Sequence, residues 1–319
     1  MKMVAQRKKA KPAKPTKRAK RSIELISFNA RGNGAAPFKS CVKSARPSFC
    51  DVPSRVLVNI SRLFDLEKKL MAIALDHPDA NNCELLTRLL PARCMRGWRI
   101  TKYLGSGAFG YVFGCRSMET CKTGALKIQR ITRKKAMLNE IQSHKKFASI
   151  GISPKLHSYC STIRHRRSVF FLNMARIDTT LEQWLTHKRS KKMINLFVER
   201  LFDILKVMER KNVTHGDFHL GNIGFVFKRK HAPGRIQILD HGFSTTKGCL
   251  TELDLVQFMR TLHKVYAPQC DRQTANYLMG RCQREALNRY GLRISRSLSY
   301  LNDRFRTLRK RLTRMKNRR

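Results

Sequence analysis

The run His215-Gly216-Asp217-Phe218-His219-Leu220-Gly221-Asn222, followed by Ile238-Leu239-Asp240-His241-Gly242, constrains this chain more than any other feature. It sets an Asp and an Asn five residues apart on a loop between apolar runs, with a second Asp beyond two strand-like segments. Such a set can position a hydroxyl nucleophile and hold metal ions on a nucleoside triphosphate. Asp217 is the candidate catalytic carboxylate, accepting or orienting the proton of an attacking hydroxyl. Asn222 offers Mg2+ a neutral oxygen ligand and Asp240 a charged one. His215 is expected to support the loop. Alternatively, His215, His219 and His241 with the two aspartates form a transition-metal site. That reading leaves the glycines and lysine upstream unexplained.

Those upstream residues come next. Gly105-Ser106-Gly107-Ala108-Phe109-Gly110 links two strand-like segments, Trp98–Leu104 and Tyr111–Phe113. Glycines there let the backbone fold over phosphates and offer them N–H donors. The strand-to-strand setting argues against a dinucleotide-binding βα unit and for a lid over a nucleotide. Val112 is placed to press on the base, or to serve as strand core. Lys127 interrupts the apolar strand Ala125–Ile128. A lysine in such a place is costly unless its ammonium meets an anion. Phosphate oxygens would serve, and Glu140, the sole acid between Lys127 and Asp178, is its expected partner.

Periodicity supplies the frame. Val56, Ile60, Leu63, Leu66, Leu70 and Ile73 recur at helical steps, predicting a helix from about Ser54 to His77, with a second over Cys83–Leu90. Strands then dominate with one helix between them, Lys134–Ala148. After Leu181 helices prevail, among them Ile194–Arg210, Thr251–Tyr266 and Arg272–Tyr290. The fold class is therefore α+β, a small β-rich lobe joined to a larger helical lobe with a cleft between them. The helical preface over 54–95 is expected to pack on the small lobe and to fix the Glu140 helix.

Charge speaks to partners. Lys and Arg number 67 against 21 Asp and Glu, a formal +46 over 319 residues. This excess favours nucleic acid, anionic surfaces or acidic proteins. Residues 1–22 carry no acid and are expected to form a disordered arm, with a nuclear-targeting role as one reading. The run Arg304–Leu312 reads as a basic helix fading into Lys316-Asn317-Arg318-Arg319. No apolar run approaches the roughly 20 residues of a membrane span, and the basic N-terminus lacks a signal-peptide core, so the expectation is a soluble, intracellular protein. The 10 cysteines contain no C-x-x-C pair and are expected to be reduced, mostly buried thiols.

On these motifs the chain resembles the protein-kinase-like superfamily over about Trp98–Tyr266. The resemblance implies a phosphate lid at Gly105, Ser106, Gly107, Ala108 and Gly110, a Lys127–Glu140 pair, Asp217 as catalytic base, and Asn222 and Asp240 as metal ligands. It places a hinge at Asn173–Ile177, with Met174 gatekeeper-like and backbone groups of Ala175 and Ile177 bonding adenine. The implied cofactors are ATP and Mg2+, with Mn2+ as an alternative. The implied division is a basic arm and irregular linker (1–53), a helical extension (54–95), a kinase-like domain (96–303, small lobe about 96–174, large lobe about 178–303) and a basic tail (304–319).

There are departures. His-Gly-Asp replaces the usual His-Arg-Asp and is similar to aminoglycoside and choline kinases and to small atypical kinases. Asp-His-Gly replaces Asp-Phe-Gly, and no Ala-Pro-Glu follows. About a dozen residues separate Gly242 from Asp254, which resembles the family's helix-anchoring Asp. With so short a segment and no Arg before Asp217 to receive a phosphate, the site is expected to be constitutively assembled. Compact basic kinases of large DNA viruses, including virion-borne ones, are similar, which suggests a virus-assembly or virion location beside the nuclear one that the basic arm suggests. The leading expectation is a serine/threonine protein kinase. A small-molecule phosphotransferase is the second reading. A nucleic-acid-binding packaging protein on an inactive kinase scaffold, using residues 1–22 and 304–319, is the third.

Overall fold

The computed structural model describes residues 50–107, 110–131, 134–164, 167–227, 234–264, 270–293 and 297–317. The expected arm (1–22), most of the irregular linker, and Ala108 of the expected phosphate lid lie outside the described residues. Four helices open the described chain: α1 (Ser54–Leu63), α2 (Glu67–Asp76), α3 (Asn82–Leu89) and α4 (Ala92–Met95). The single helix predicted through His77 is two helices. Asp65 takes φ +51° between them, and Leu66 turns inward to near-complete burial. The apolar period runs straight across the break, so the pattern does not reveal it. The start of α3 carries a local signal: the Asn81 side chain accepts the amides of Cys83 and Glu84.

The small lobe is a five-stranded antiparallel sheet in the order β1-β2-β3-β5-β4. Its strands are β1 (Trp98–Gly107), β2 (Gly110–Ser117), β3 (Thr123–Ile131), β4 (Leu156–Arg164) and β5 (Arg167–Ala175), with α5 (Lys134–Ser149) between β3 and β4. Side chains alternate between the two faces of a strand. Leu126 and Ile128 of β3 therefore join Phe113 and Phe171 against Ile60, Leu86 and Leu89 of the preface. Each such side chain, fully buried, contributes about 1.5–3 kcal/mol. Leu172 and Phe170 face the other way and pack with Ile141 of α5. The preface thus covers the small lobe, but on the face away from α5. The expectation that it fixes the Glu140 helix is corrected: α5 packs on β3, β4 and the turn at 241–243.

The expectation of reduced thiols is also overturned. Cys50 bonds to Cys83 and Cys94 to Cys160, and Cys121 is disulfide-bonded as well. Cys115, Cys249, Cys270 and Cys282 are free. The two bridges join residues 33 and 66 apart in sequence. The lack of a close cysteine pair therefore says nothing about them. What permits them is the preface's docking, which brings the Cα atoms to 5.8 and 5.3 Å.

The large lobe holds a small sheet, β6 (Thr179–Thr180), β7 (Ile223–Val226) and β8 (Arg235–Ile238), and short α6 (Leu181–Trp184). Around them pack α7 (Lys191–Arg210), α8 (Thr251–Lys264), α9 (Arg272–Tyr290) and α10 (Leu298–Asn317). Phe197, Leu201, Phe225 and Phe258 lie at the centre of the core. The basic helix expected over Arg304–Leu312 is present as part of α10, but it is packed rather than a tail: Leu301, Leu308 and Leu312 are buried in the same core. Their spacing puts them on one stripe of the helix, while the arginines between them dominate the composition. Among the described residues no helix is long and apolar enough to cross a membrane.

Candidate active site

In the β1–β2 hairpin Gly107 lies opposite Gly110. A Cβ built on Gly105 or Gly107 would meet nothing within 4 Å, so both face open space, as a close backbone approach to a ligand requires. Ser106 sits between them, paired with Tyr111. Gly110 has a different reason to be glycine: a Cβ there would collide with the carbonyl of Ile128 on β3. Val112 lies directly across from Lys127, and directly paired residues share a face. Val112 therefore lines the same side of the sheet as the lysine. On β5, Met174 pairs with Ala125 and packs beside Leu172 and Ile141. The amide of Ala175 donates to Lys155 O at 2.8 Å, which leaves its carbonyl as the group it can present to a base. Ile177 follows beyond the strand, with its side chain against Gly224.

Lys127 is buried, and its Nζ stands 3.0 Å from Glu140 Oε1 and 2.9 Å from Asp240 Oδ1. The other oxygen of Glu140 accepts from Gln129 Nε2. Burial alone would pull the lysine's pKa down, but the charges of Asp240 and Glu140 override it and the net direction is up. Asp240 is the mirror case. Burial pushes its carboxyl up, the Lys127 charge outweighs that, and the result is a lowered pKa. Both groups are thus held in their charged forms. Lys127 from β3, Glu140 from α5 and Asp240 from the loop after β8 meet at one ammonium, which ties the two lobes together.

The loop bearing Asp217 hangs from the start of α8. Asp254, fully buried, accepts the amide of His215 at 2.9 Å and that of Gly216 at 2.8 Å. Burial pushes its carboxyl up to about 7 against these donors and the charge of Arg309. Asn222 donates from Nδ2 to Asp217 O at 2.9 Å, which leaves Oδ1 as the oxygen it can offer a cation. Asp217 is half-buried, and its Oδ1 accepts from Gln257 Nε2 at 2.9 Å. Gln257 Oε1 also accepts the amide of Phe218 at 3.1 Å. The sequence reading passed over Gln257. Its one signal was position: a single turn after Asp254 on the same helix face.

The histidines do not converge on a metal. His215 and His241 are buried and meet edge to face with ring centroids 5.4 Å apart. His241 also packs on Phe147 at 4.5 Å and His144 at 5.0 Å. His215 bonds Leu239 O, His241 bonds Ser153 Oγ, and His144 bonds Pro154 O. His219 instead accepts from the Gly221 amide. Burial lowers the pKa of His144, His215 and His241, so this column is neutral packing that joins α5 to both loops. Among the described residues no group of three or more His, Cys, Asp and Glu is placed to hold a metal ion by itself. The oxygen pair Asn222 and Asp240 fits a cation that brings phosphate ligands of its own.

The C-terminal helix reaches the same loops. Arg309 donates to Gly216 O, and its guanidinium covers the Phe243 ring at 4.7 Å. Lys316 donates to Phe243 O. Gly216 has φ +76°, and a Cβ there would lie 2.8 Å from Phe243 O and 3.0 Å from Leu312. The glycine of His-Gly-Asp is therefore required by local backbone conformation and by the docking of α10. The segment between the turn at 241–243 and α8 is tied down as well: Thr214 and Thr245 exchange backbone bonds of 3.0 and 2.9 Å, and Asn139 of α5 donates to Ser244 O.

Residues 98–263, more than half of the chain, match the protein kinase domain family. The chain is also 27% identical over 165 residues to a probable serine/threonine-protein kinase of fowlpox virus (strain NVSL), an alignment covering 46% of this chain and 53% of the relative. The chain thus spans about half the length of the curated relative it matches. The matched residues contain the glycine hairpin, the Lys127–Glu140–Asp240 contact and the loop bearing Asp217 and Asn222, and by this match the chain belongs to the protein kinase domain family.

Proposed function

We propose that the chain is an ATP- and Mg2+-dependent serine/threonine protein kinase. The observation that carries the reading is the Lys127 ammonium shared by Glu140 and Asp240. A cation so placed between lobes can neutralise charge on a transferring phosphoryl group. Gly105, Ser106, Gly107 and Gly110 would cover the phosphates, with Val112, Met174, Ala175 and Ile177 around the base. Asn222 and Asp240 would hold Mg2+, which supplies charge neutralisation on the phosphates when bound. Asp217, oriented by Gln257, takes or orients the proton of the acceptor hydroxyl.

The His-Gly-Asp spelling motivated a small-molecule acceptor. Gly216 has its own reason in the docking of α10, so that ground is weakened and a protein acceptor is favoured. The test is incubation with labelled ATP, Mg2+ and a broad protein extract, with Asp217→Ala and Lys127→Met beside the wild type. Labelled phosphoserine or phosphothreonine that disappears in both variants supports the reading. Transfer that survives in both, or label found only in small metabolites, overturns it.

A further inference from the structure

We propose that the acceptor is an anionic protein segment, with carboxylate or phosphate side chains flanking the target hydroxyl, recognised by the last two turns of α10. The inference rests on the protein-kinase reading above and names its substrate class. Position comes first. α10 touches the residue before Asp217 through Arg309 and Leu312, the residue after Gly242 through Lys316, and Gly248 through Met315. It therefore runs beside the segment that an acceptor chain must pass to bring a hydroxyl to Asp217.

Charge comes second. Arg309 and Lys316 bond backbone carbonyls, and neither is in an ion pair among the described residues, although the charge of Arg309 reaches the buried Asp254. Lys310, Arg311 and Arg314 are exposed, and none pairs with a carboxylate among the described residues. Of the nearby acids, Asp254 is buried and accepts two amides, and Glu252 pairs with Arg304, so neither reaches Lys310, Arg311 or Arg314. Burial, and then the charge of Arg309, pull the Lys316 ammonium below its usual pKa. An anion seated near both cations would relieve that crowding.

Extent comes third and favours a peptide over nucleic acid. The first half of α10 is self-neutralised, with Arg304 on Glu252 and Arg306 facing Asp303 at 3.8 Å. The uncancelled stretch from Arg309 to Lys316 spans about 10 Å at 1.5 Å per residue. That length matches about three residues of an extended chain, so acidic positions within about three residues of the hydroxyl would be read.

The test uses the full chain and three peptides around one Ser, with Glu, phosphoserine or Lys flanks, alongside a neutral-flanked peptide. The expected result is a kcat/KM at least tenfold higher for the Glu or phosphoserine peptide than for the Lys peptide, with the two anionic arms showing which source is preferred. In the charge reversal Lys310→Glu/Arg311→Glu/Arg314→Glu, that ratio should fall at least tenfold. Independently of any variant, the wild-type KM for the anionic peptides should rise with salt more steeply than that for the neutral peptide. Transfer to all peptides without flank preference overturns this inference and leaves the kinase reading standing. Competition by a polynucleotide with no peptide preference overturns it in favour of nucleic acid. No transfer to any peptide or protein removes the kinase reading itself.

Discussion

Gln257 Nε2 donates to Asp217 Oδ1 at 2.9 Å, so the Asp217 carboxylate is held from the first turns of α8 as well as by its own loop. A hydrogen bond to a charged group is worth about 1.5–3 kcal/mol. Gln257→Leu should therefore lower kcat about tenfold to a hundredfold, with KM for ATP little changed. Steady-state kinetics at saturating ATP check this. Equal losses in kcat and in ATP affinity would point to general disruption of the loop.

The unusual glycine before Asp217 makes a second prediction. Gly216→Ala adds a Cβ at positive φ against Phe243 O and Leu312. Backbone strain of this kind costs about 1–3 kcal/mol, and the contact with Leu312 adds to it. We expect a lower Tm and faster proteolytic cleavage within α10. Gly216→Arg should be worse, although arginine is the residue more common at this place in the family. A variant with wild-type Tm and an equally protected α10 would contradict the assigned docking.

Much of this arrangement is legible in the sequence, for identifiable reasons. The bounds of α9 are read correctly because its signals are local: Asp271 caps the Thr274 amide and Gly291 ends the helix at φ +63°. The Lys127 pairing is readable because one acid alone lies within reach on the next helix. What escaped depends on tertiary placement. Arginines mask the apolar stripe Leu301, Leu308 and Leu312, and a glutamine such as Gln257 carries no diagnostic chemistry until Asp217 is beside it. The bridge Cys94–Cys160 forms because α4 docks at β4, which no spacing rule encodes.

The disulfides make a third prediction. Chain-entropy arguments assign about 4 kcal/mol to closing loops of this size. Thiol reductant should lower the Tm and release the preface first, since both bridges involve its cysteines. Hydrogen exchange with and without reductant would show protection lost over residues 54–95 before α7. Unchanged protection after complete reduction would show that packing alone holds the preface.

The histidine column makes a fourth. His144, His215 and His241 have folded pKa values depressed by burial, while an unfolded imidazole titrates near about 6.5. Below about pH 6.5 the unfolded chain binds protons that the folded chain refuses, so stability is lost as pH falls. One unit below that value each imidazole costs up to about 1.4 kcal/mol. Asp254, raised to about 7, works in the opposite sense, but as one group against three. Urea midpoints at pH 5.5 should therefore lie well below those at pH 7.5 by linkage at about 6.5, and His144→Phe should flatten the slope. A midpoint independent of pH would contradict the neutral column.

The central claim is that Asp217, Lys127 and Asp240 form one phosphotransfer site. Single-turnover transfer from labelled ATP to protein, measured for the wild type and for Asp217→Asn at matched folding by circular dichroism, tests it most directly. The account predicts phosphoserine or phosphothreonine in the wild type and a loss of about a hundredfold or more in the variant. Equal transfer by a folded Asp217→Asn, or none by the wild type in the presence of ATP, Mg2+ and anionic acceptors, would contradict it.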